Sequence, residues 1–254
     1  MSNAPEIDYS DYYVAFLDVL GFKALVKSNK KEDKQKIYEY FHLVNEVTNE
    51  ITNITSKKDI GSIIISDSVI LSMPIGKEPS LNIRKLRELC IAIQKIQFKL
   101  AGMNIWLRGA ISSGKAYFNS IDSQVVGPAY INAYLLEERI AINPRVVLDN
   151  KLIKELKLNS AQELIEKINN DASCSKEYDA LERNVLFQWE HGGIPKKKLK
   201  KDVALFIDYL VYSFQDESKL NTIIKNLEKS MYLDNAVYSK FASSAKSVGH
   251  WWRG

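Results

Sequence analysis

Two aspartates stand at the ends of apolar runs in this chain. "YYVAFLDVLGF" (residues 12–22) closes on Asp18, and "GSIIISDSVILSMP" (61–74) turns on Asp67, 49 residues later. An ionised carboxylate taken out of water without a partner is costly, so each acid needs a cation, hydrogen-bond donors or a raised pKa. If the two strands adjoin, the pair can share one divalent ion. Oxygen donors in a chain with only three histidines favour Mn2+ or Mg2+ over zinc, and the main-chain carbonyl of Val19 can add a ligand. A helix opening at Leu20, Gly21, Phe22 and Lys23 would turn its first amides toward that metal, which suits a phosphate. Metal beside helix terminus suggests a nucleoside triphosphate. The plainer alternative is that Asp18 caps the helix and Asp67 serves a turn.

The elements that must position these acids are legible as patterns. Residues 12–18 are dense in aromatic and β-branched side chains and read as a strand. Ile37, Phe41, Val44, Val47, Ile51 and Ile54 form a helical stripe, as do Ile83, Leu86, Cys90, Ile93, Ile96 and Leu100, the second ending at Gly102. Residues 61–74 predict a tight hairpin with Asp67 at its tip. "IWLRGAISSG" follows as a strand, "KAYFNSIDSQVVG" as a second hairpin, "PAYINAYLLEERIA" as a helix opened by proline, and "PRVVLD" as a strand. The order β-α-α-β-β-α-β-β-α-β over 12–149 predicts an α+β fold, a ferredoxin-like mixed sheet with helices on one face. A core at 8–149 and an insertion with C-terminal strands and helices at 150–254, mostly helical and packing on that core, are expected.

Composition narrows the class. A chain of 254 residues, 46% hydrophobic and 26% charged, is ordinary for a soluble globular protein. No apolar stretch approaches the roughly 20 residues of a membrane helix, and no secretory signal opens the chain, so a cytoplasmic location away from membranes is expected. Cys90 and Cys174 have no metal-ligand spacing. The net charge of +4 gathers in "IPKKKLKK", with five lysines, and lacks the aromatic strands or zinc spacing of a nucleic-acid reader. His42, His191 and His250 have no paired ligands, and no Ser-His-Asp arrangement can be assembled.

Four blocks resemble the class III nucleotidyl cyclases. "FLDVLGF" resembles the family's opening Phe-x-Asp-φ-x-Gly-Phe motif (φ apolar), with the first metal aspartate at Asp18. "IISDSVILSMP" resembles its second metal hairpin, with Asp67 at the acid and Ser66 in place of glycine. "LRGAISSG" resembles the strand that follows, with Ala110 at a glycine position, and "VVGPAYINAYLLEE" resembles the later helix motif. The resemblance implies a cyclase-type fold and catalytic metal aspartates Asp18 and Asp67. It also implies Val19 as a metal ligand, nucleotide contacts at Leu20, Gly21, Phe22 and Lys23, and a homodimer whose site lies between chains. Gln124 stands near the acid by which purine cyclases read the base.

The departures are specific. Ile131 replaces the ribose-orienting asparagine and Leu135 the arginine that stabilises phosphate charge; Arg139, Arg145, Lys200 and Lys201 are the candidate substitutes. The bacterial pyrimidine cyclases of antiphage signalling are the group most similar to this pattern. They imply UTP or CTP as substrate and a cyclic nucleotide read by a separate effector. A catalytically idle nucleotide-binding or interaction protein is the alternative.

Overall fold

The computed structural model describes residues 7–54, 60–141, 144–169, 185–187, 205–209 and 217–233. β1 (Ser10–Val19) lies between β3 (Ser68–Pro74) and β4 (Leu107–Asn119), antiparallel to both. From β1 the chain passes through α1 (Phe22–Lys27) and α2 (Lys31–Ile54) to β2 (Gly61–Ile65), which forms a hairpin with β3. α3 (Pro79–Gly102) then crosses back to β4. The spatial order β2-β3-β1-β4 with these connections is the split βαβ arrangement of ferredoxin-like sheets.

Beyond it, β5 (Gln124–Val126) folds back on β4, and α4 (Pro128–Arg139) leads to β6 (Val146–Leu148), which joins β4 in parallel. The sheet continues through β8 (Phe206–Ile207), antiparallel to β6, to β7 (Leu186–Phe187), antiparallel to β8. α5 (Lys151–Glu155), α6 (Ala161–Asn169) and α7 (Glu217–Leu233) complete the described elements. The mixed α+β sheet and the ten-element order read from residues 12–149 hold from β1 to β6. Among the described residues no helix is long and apolar enough to cross a membrane.

Two expectations change. Helices cover both faces of the sheet, because β1 is apolar on both. Tyr13, Ala15, Leu17 and Val19 bury against the side of α2 and α3, whereas Val14 and Phe16 bury with Ala129 and Ala133 of α4. A strand that alternates between two apolar sets needs cover on each side. The expected break between a strand and a separate hairpin near Gly114 is also absent: β4 runs on to Asn119 and supplies one arm of that hairpin itself.

Gly109 marks where β4 presses closest on β1. A Cβ built there would lie 2.4 Å from the Phe16 carbonyl oxygen and 2.7 Å from Leu17 Cδ2, so a side chain would force the strands apart. At the Ser66-Asp67 turn, Ser66 takes φ 56°, a left-handed conformation strained for a non-glycine residue. Ser66→Gly is therefore expected to raise unfolding stability by about 1 kcal/mol, the strain relieved exceeding the added unfolded-chain entropy. Urea melts of the two proteins measure this, and an unchanged or lowered midpoint would show that the turn carries no such strain.

Candidate functional site

Sheet register places Asp18. It pairs with Ser68 on β3 and with Arg108 on β4, and directly opposed residues of antiparallel strands hold their Cβ atoms roughly 5 Å apart. Arg108 Nη2 lies 3.3 Å from Asp18 Oδ2. The same guanidinium reaches α4, where its Nε is 2.5 Å from Glu137 Oε1. Ala129, Ala133 and Glu137 form the buried face of that helix. The two methyl side chains at four-residue spacing let the helix sit close to the sheet, and Glu137, 3% exposed, continues the row with a carboxylate. Phe16 holds the helix in place by edge contacts to Tyr130 and Tyr134, at centroid distances of 6.0 and 5.3 Å.

Asp67 is brought to Asp18 by the hairpin. The Val19 amide donates to the Asp67 carbonyl at 3.0 Å, clamping the turn to the end of β1. Burial raises the Asp18 pKa, Arg108 opposes the rise, and the charge of Asp67 adds to it. Tyr40 of α2 borders the same acids: its phenol is pushed up first by burial and then by Asp67 and Asp18. Among the described residues its buried hydroxyl has no hydrogen-bond partner. Burial also lifts Glu137 to about 7 against the pull of Arg108.

The other expected residues fall into two sets. Leu20, Gly21, Phe22 and Lys23 lie directly after Val19, with Gly21 at φ 76° as the N-cap of α1, a left-handed turn that glycine makes without strain. The Leu20 amide is committed to the Trp106 carbonyl at 2.8 Å, so of the four expected residues it is the one whose amide is already spent on the sheet. Phe22's ring is core, 5.9 Å from that of Tyr40. Gln124 is not brought to the acids within one chain. It pairs with Asn119, eleven residues along β4 from Arg108, a run of roughly 35 Å if straight; the fold-back of β5 on a long β4 puts it at the far end.

Ile131 is 50% exposed and Leu135 half-buried, both off the buried row of α4. Arg139 is exposed at that helix's end, and Arg145 stacks over Phe206 at 5.8 Å. Lys200 and Lys201 lie outside the described residues. Among the described residues the cation paired with Asp18 is Arg108, whose strand motif alone suggests a packing or structural pair. Its signal was the register: an arginine second in β4 falls opposite the last acid of β1. Glu137 and Tyr40 leave no local sequence signal, since only helix docking brings them in.

The donor set fits a divalent cation. Two carboxylates and the Val19 carbonyl are oxygen donors of the kind Mg2+ and Mn2+ take, and Asp18, raised first by burial and further by the charge of Asp67, is a carboxylate that a bound cation would return to its ionised form. Among the described residues no group of three His, Cys, Asp or Glu side chains could hold a metal, so remaining ligands would come from water or substrate phosphates.

No known protein family and no curated protein matches the chain. Among solved structures it is similar to the adenylyl cyclase CyaB from P. aeruginosa, with 14% identity over 80% of this chain and 95% of that one and a TM-score of 0.49. It is also similar to a class III adenylyl cyclase-like ATP-binding protein from Pseudomonas aeruginosa (13%, 69% and 42%, 0.47) and to the guanylyl cyclase Cya2 (12%, 79% and 92%, 0.42). At such identities no residue equivalence follows, and the site rests on its own geometry.

Glu137 gives that geometry a pH signature. A carboxyl whose folded pKa rises from 4.5 to about 7 adds stability that is fully present below 4.5 and is lost as pH climbs through 7. Stability should therefore fall across this window by up to about 3 kcal/mol. Glu137→Gln should flatten the fall in urea melts at pH 4.5, 6 and 7.5. Parallel curves for the two proteins would assign the titration elsewhere.

Proposed function

We propose that this chain is a metal-dependent nucleotidyl cyclase that converts a nucleoside triphosphate, UTP or CTP, to a 3',5'-cyclic nucleotide and pyrophosphate. The observation that carries the reading is the meeting of Asp18 and Asp67 at one corner of a ferredoxin-like sheet, beside the glycine-capped turn of α1. Asp18, Asp67 and the Val19 carbonyl would hold Mn2+ or Mg2+, which when bound supplies charge stabilisation to attacking and leaving oxygens. The ribose 3'-hydroxyl attacks the α-phosphorus, its proton passing to solvent water, as the bond to pyrophosphate breaks. The Phe22 and Lys23 amides orient phosphate, and Arg108 neutralises charge developing on its oxygens.

A homodimer accounts for the residues one chain leaves apart. A second copy would bring its α4, with Ile131 and Leu135, and its Gln124 to the acids of the first. The pyrimidine preference and the antiphage role, with a separate effector reading the product, rest on the sequence resemblance, with neither nucleic acid nor membrane as partner.

A second reading has its own observation. Arg108 already pairs with both Asp18 and Glu137 without a metal, and Leu135 offers no cation, as an idle nucleotide-binding or interaction protein would have it.

Incubation with UTP, CTP, ATP and GTP plus manganese, followed by product chromatography, separates the two. The first reading expects cyclic mononucleotide and pyrophosphate, more from one pyrimidine than from either purine. Asp18→Asn and Asp67→Asn should abolish turnover, and Arg108→Ala should lower kcat about a hundredfold. Binding of metal and triphosphate without product establishes the idle reading, and preference for a purine removes the pyrimidine assignment while leaving the acids in place.

A further inference from the structure

Tyr40 is 1% exposed on α2. Its ring packs edge-on against Phe22 at a centroid distance of 5.9 Å and tilted against Phe41 at 5.0 Å. These contacts hold it in the core that also takes Leu17 and Val19 of β1, beneath the junction where the Val19 amide clamps the hairpin turn through the Asp67 carbonyl. The hydroxyl at the end of this fixed ring has no hydrogen-bond partner among the described residues. Burial raises the phenol, and the charges of Asp67 and then Asp18 add to the rise, so the group is a proton-bearing donor whose charged neighbours are the two acids. Those acids differ. Asp18 is paired with Arg108, whereas the Asp67 side chain makes no hydrogen bond or ion pair among the described residues.

A phenylalanine at position 40 would fill the same space and keep both ring contacts without burying a hydroxyl. Leaving a buried hydroxyl unpaired costs stability that ring packing does not return. We infer that Tyr40 is a positioning residue for the metal acids, its hydroxyl donating a hydrogen bond to the Asp67 carboxylate when Asp18 and Asp67 take a divalent cation. Carboxylates that ligate a metal are themselves held by hydrogen bonds from groups outside the coordination sphere, which set their orientation. Asp67 needs such a donor more than Asp18 does. It follows Ser66 at a hairpin tip, and the clamp from Val19 holds its main chain only. A donor rooted in the core fixes its side chain as well, and a hydrogen bond to an ionised acceptor is stronger than one between neutral groups. The inference rests on the proposed reading in which the two acids hold a metal, and it is independent of which nucleotide follows.

Calorimetric titration of the full chain with Mn2+ alone, paired with urea melts with and without Mn2+, tests this on the natural sequence, Tyr40→Phe and Tyr13→Phe. Tyr13 is an equally buried tyrosine of β1 whose charged neighbour is Glu155 rather than the two acids. Tyr40→Phe should weaken Mn2+ binding about tenfold or more, while its metal-free urea midpoint stays unchanged or rises, since the hydroxyl it removes is unpaired there. Mn2+ should then raise the midpoint of the natural protein more than that of Tyr40→Phe. Tyr13→Phe should bind Mn2+ as the natural protein does. Equal Mn2+ affinity in Tyr40→Phe and the natural protein overturns the inference and leaves the metal reading standing. A lowered metal-free midpoint in Tyr40→Phe, or an equal loss of affinity in Tyr13→Phe, overturns it as well, by making the hydroxyl a structural group. Absence of Mn2+ binding by the natural protein removes the metal reading itself and the inference with it.

Discussion

The ion group Asp18-Arg108-Glu137 is the constraint on which the centre of this molecule depends. Three charged side chains meet where β1, β4 and α4 converge, and Glu137 is almost wholly enclosed. Such a group is weak evidence of stability by itself, because desolvation offsets much of the attraction, yet removing one member leaves another charge buried and uncompensated. It therefore fixes geometry. Arg108 can reach both carboxylates only if β1 and β4 keep their register and α4 lies flat on the sheet. The alanines at 129 and 133 and the tight approach at Gly109 satisfy these two conditions.

The two faces of β1 then divide the labour. On one, Leu17 and Val19 belong to the large core with α2 and α3, which seats Tyr40 and Phe22 and so sets where α1 begins. On the other, Phe16 and its tyrosine contacts hold α4. Asp18 sits near the end of that strand, where the hydrogen bond from Val19 to Asp67 draws in the hairpin turn. A strand end accepts a carboxylate because the sheet stops covering it there, which is why an apolar run can close on an acid.

Much of the fold was legible because its signals are local. The helical stripes of α2 and α3, the hairpin at Ser66-Asp67 and the order of elements through β6 each follow from spacing within one segment. The site was legible only in part. Asp18 and Asp67 stand out as acids closing apolar runs, but the partners of Asp18 come from β4 and α4, 90 and 119 residues away, and their arrival is a consequence of register and helix docking. The one-face expectation failed for the same reason: the apolar residues of β1 read as a strand whichever side they cover, and only the assembled sheet shows that both sides need a helix.

The shared guanidinium also bears on how a working site would behave. Arg108 pairs with both Glu137 and Asp18, and at each acid burial, helped by the neighbouring carboxylates, outweighs its downward pull. A cation held between Asp18 and Asp67 would relieve the first acid and leave Arg108 to Glu137 and to incoming phosphate oxygens. Loss of a proton from Glu137 would draw Arg108 back toward α4. In the proposed cyclase, metal, proton and phosphate would thus compete for one side chain, and burial at Glu137 would set the balance among them without that residue touching the substrate.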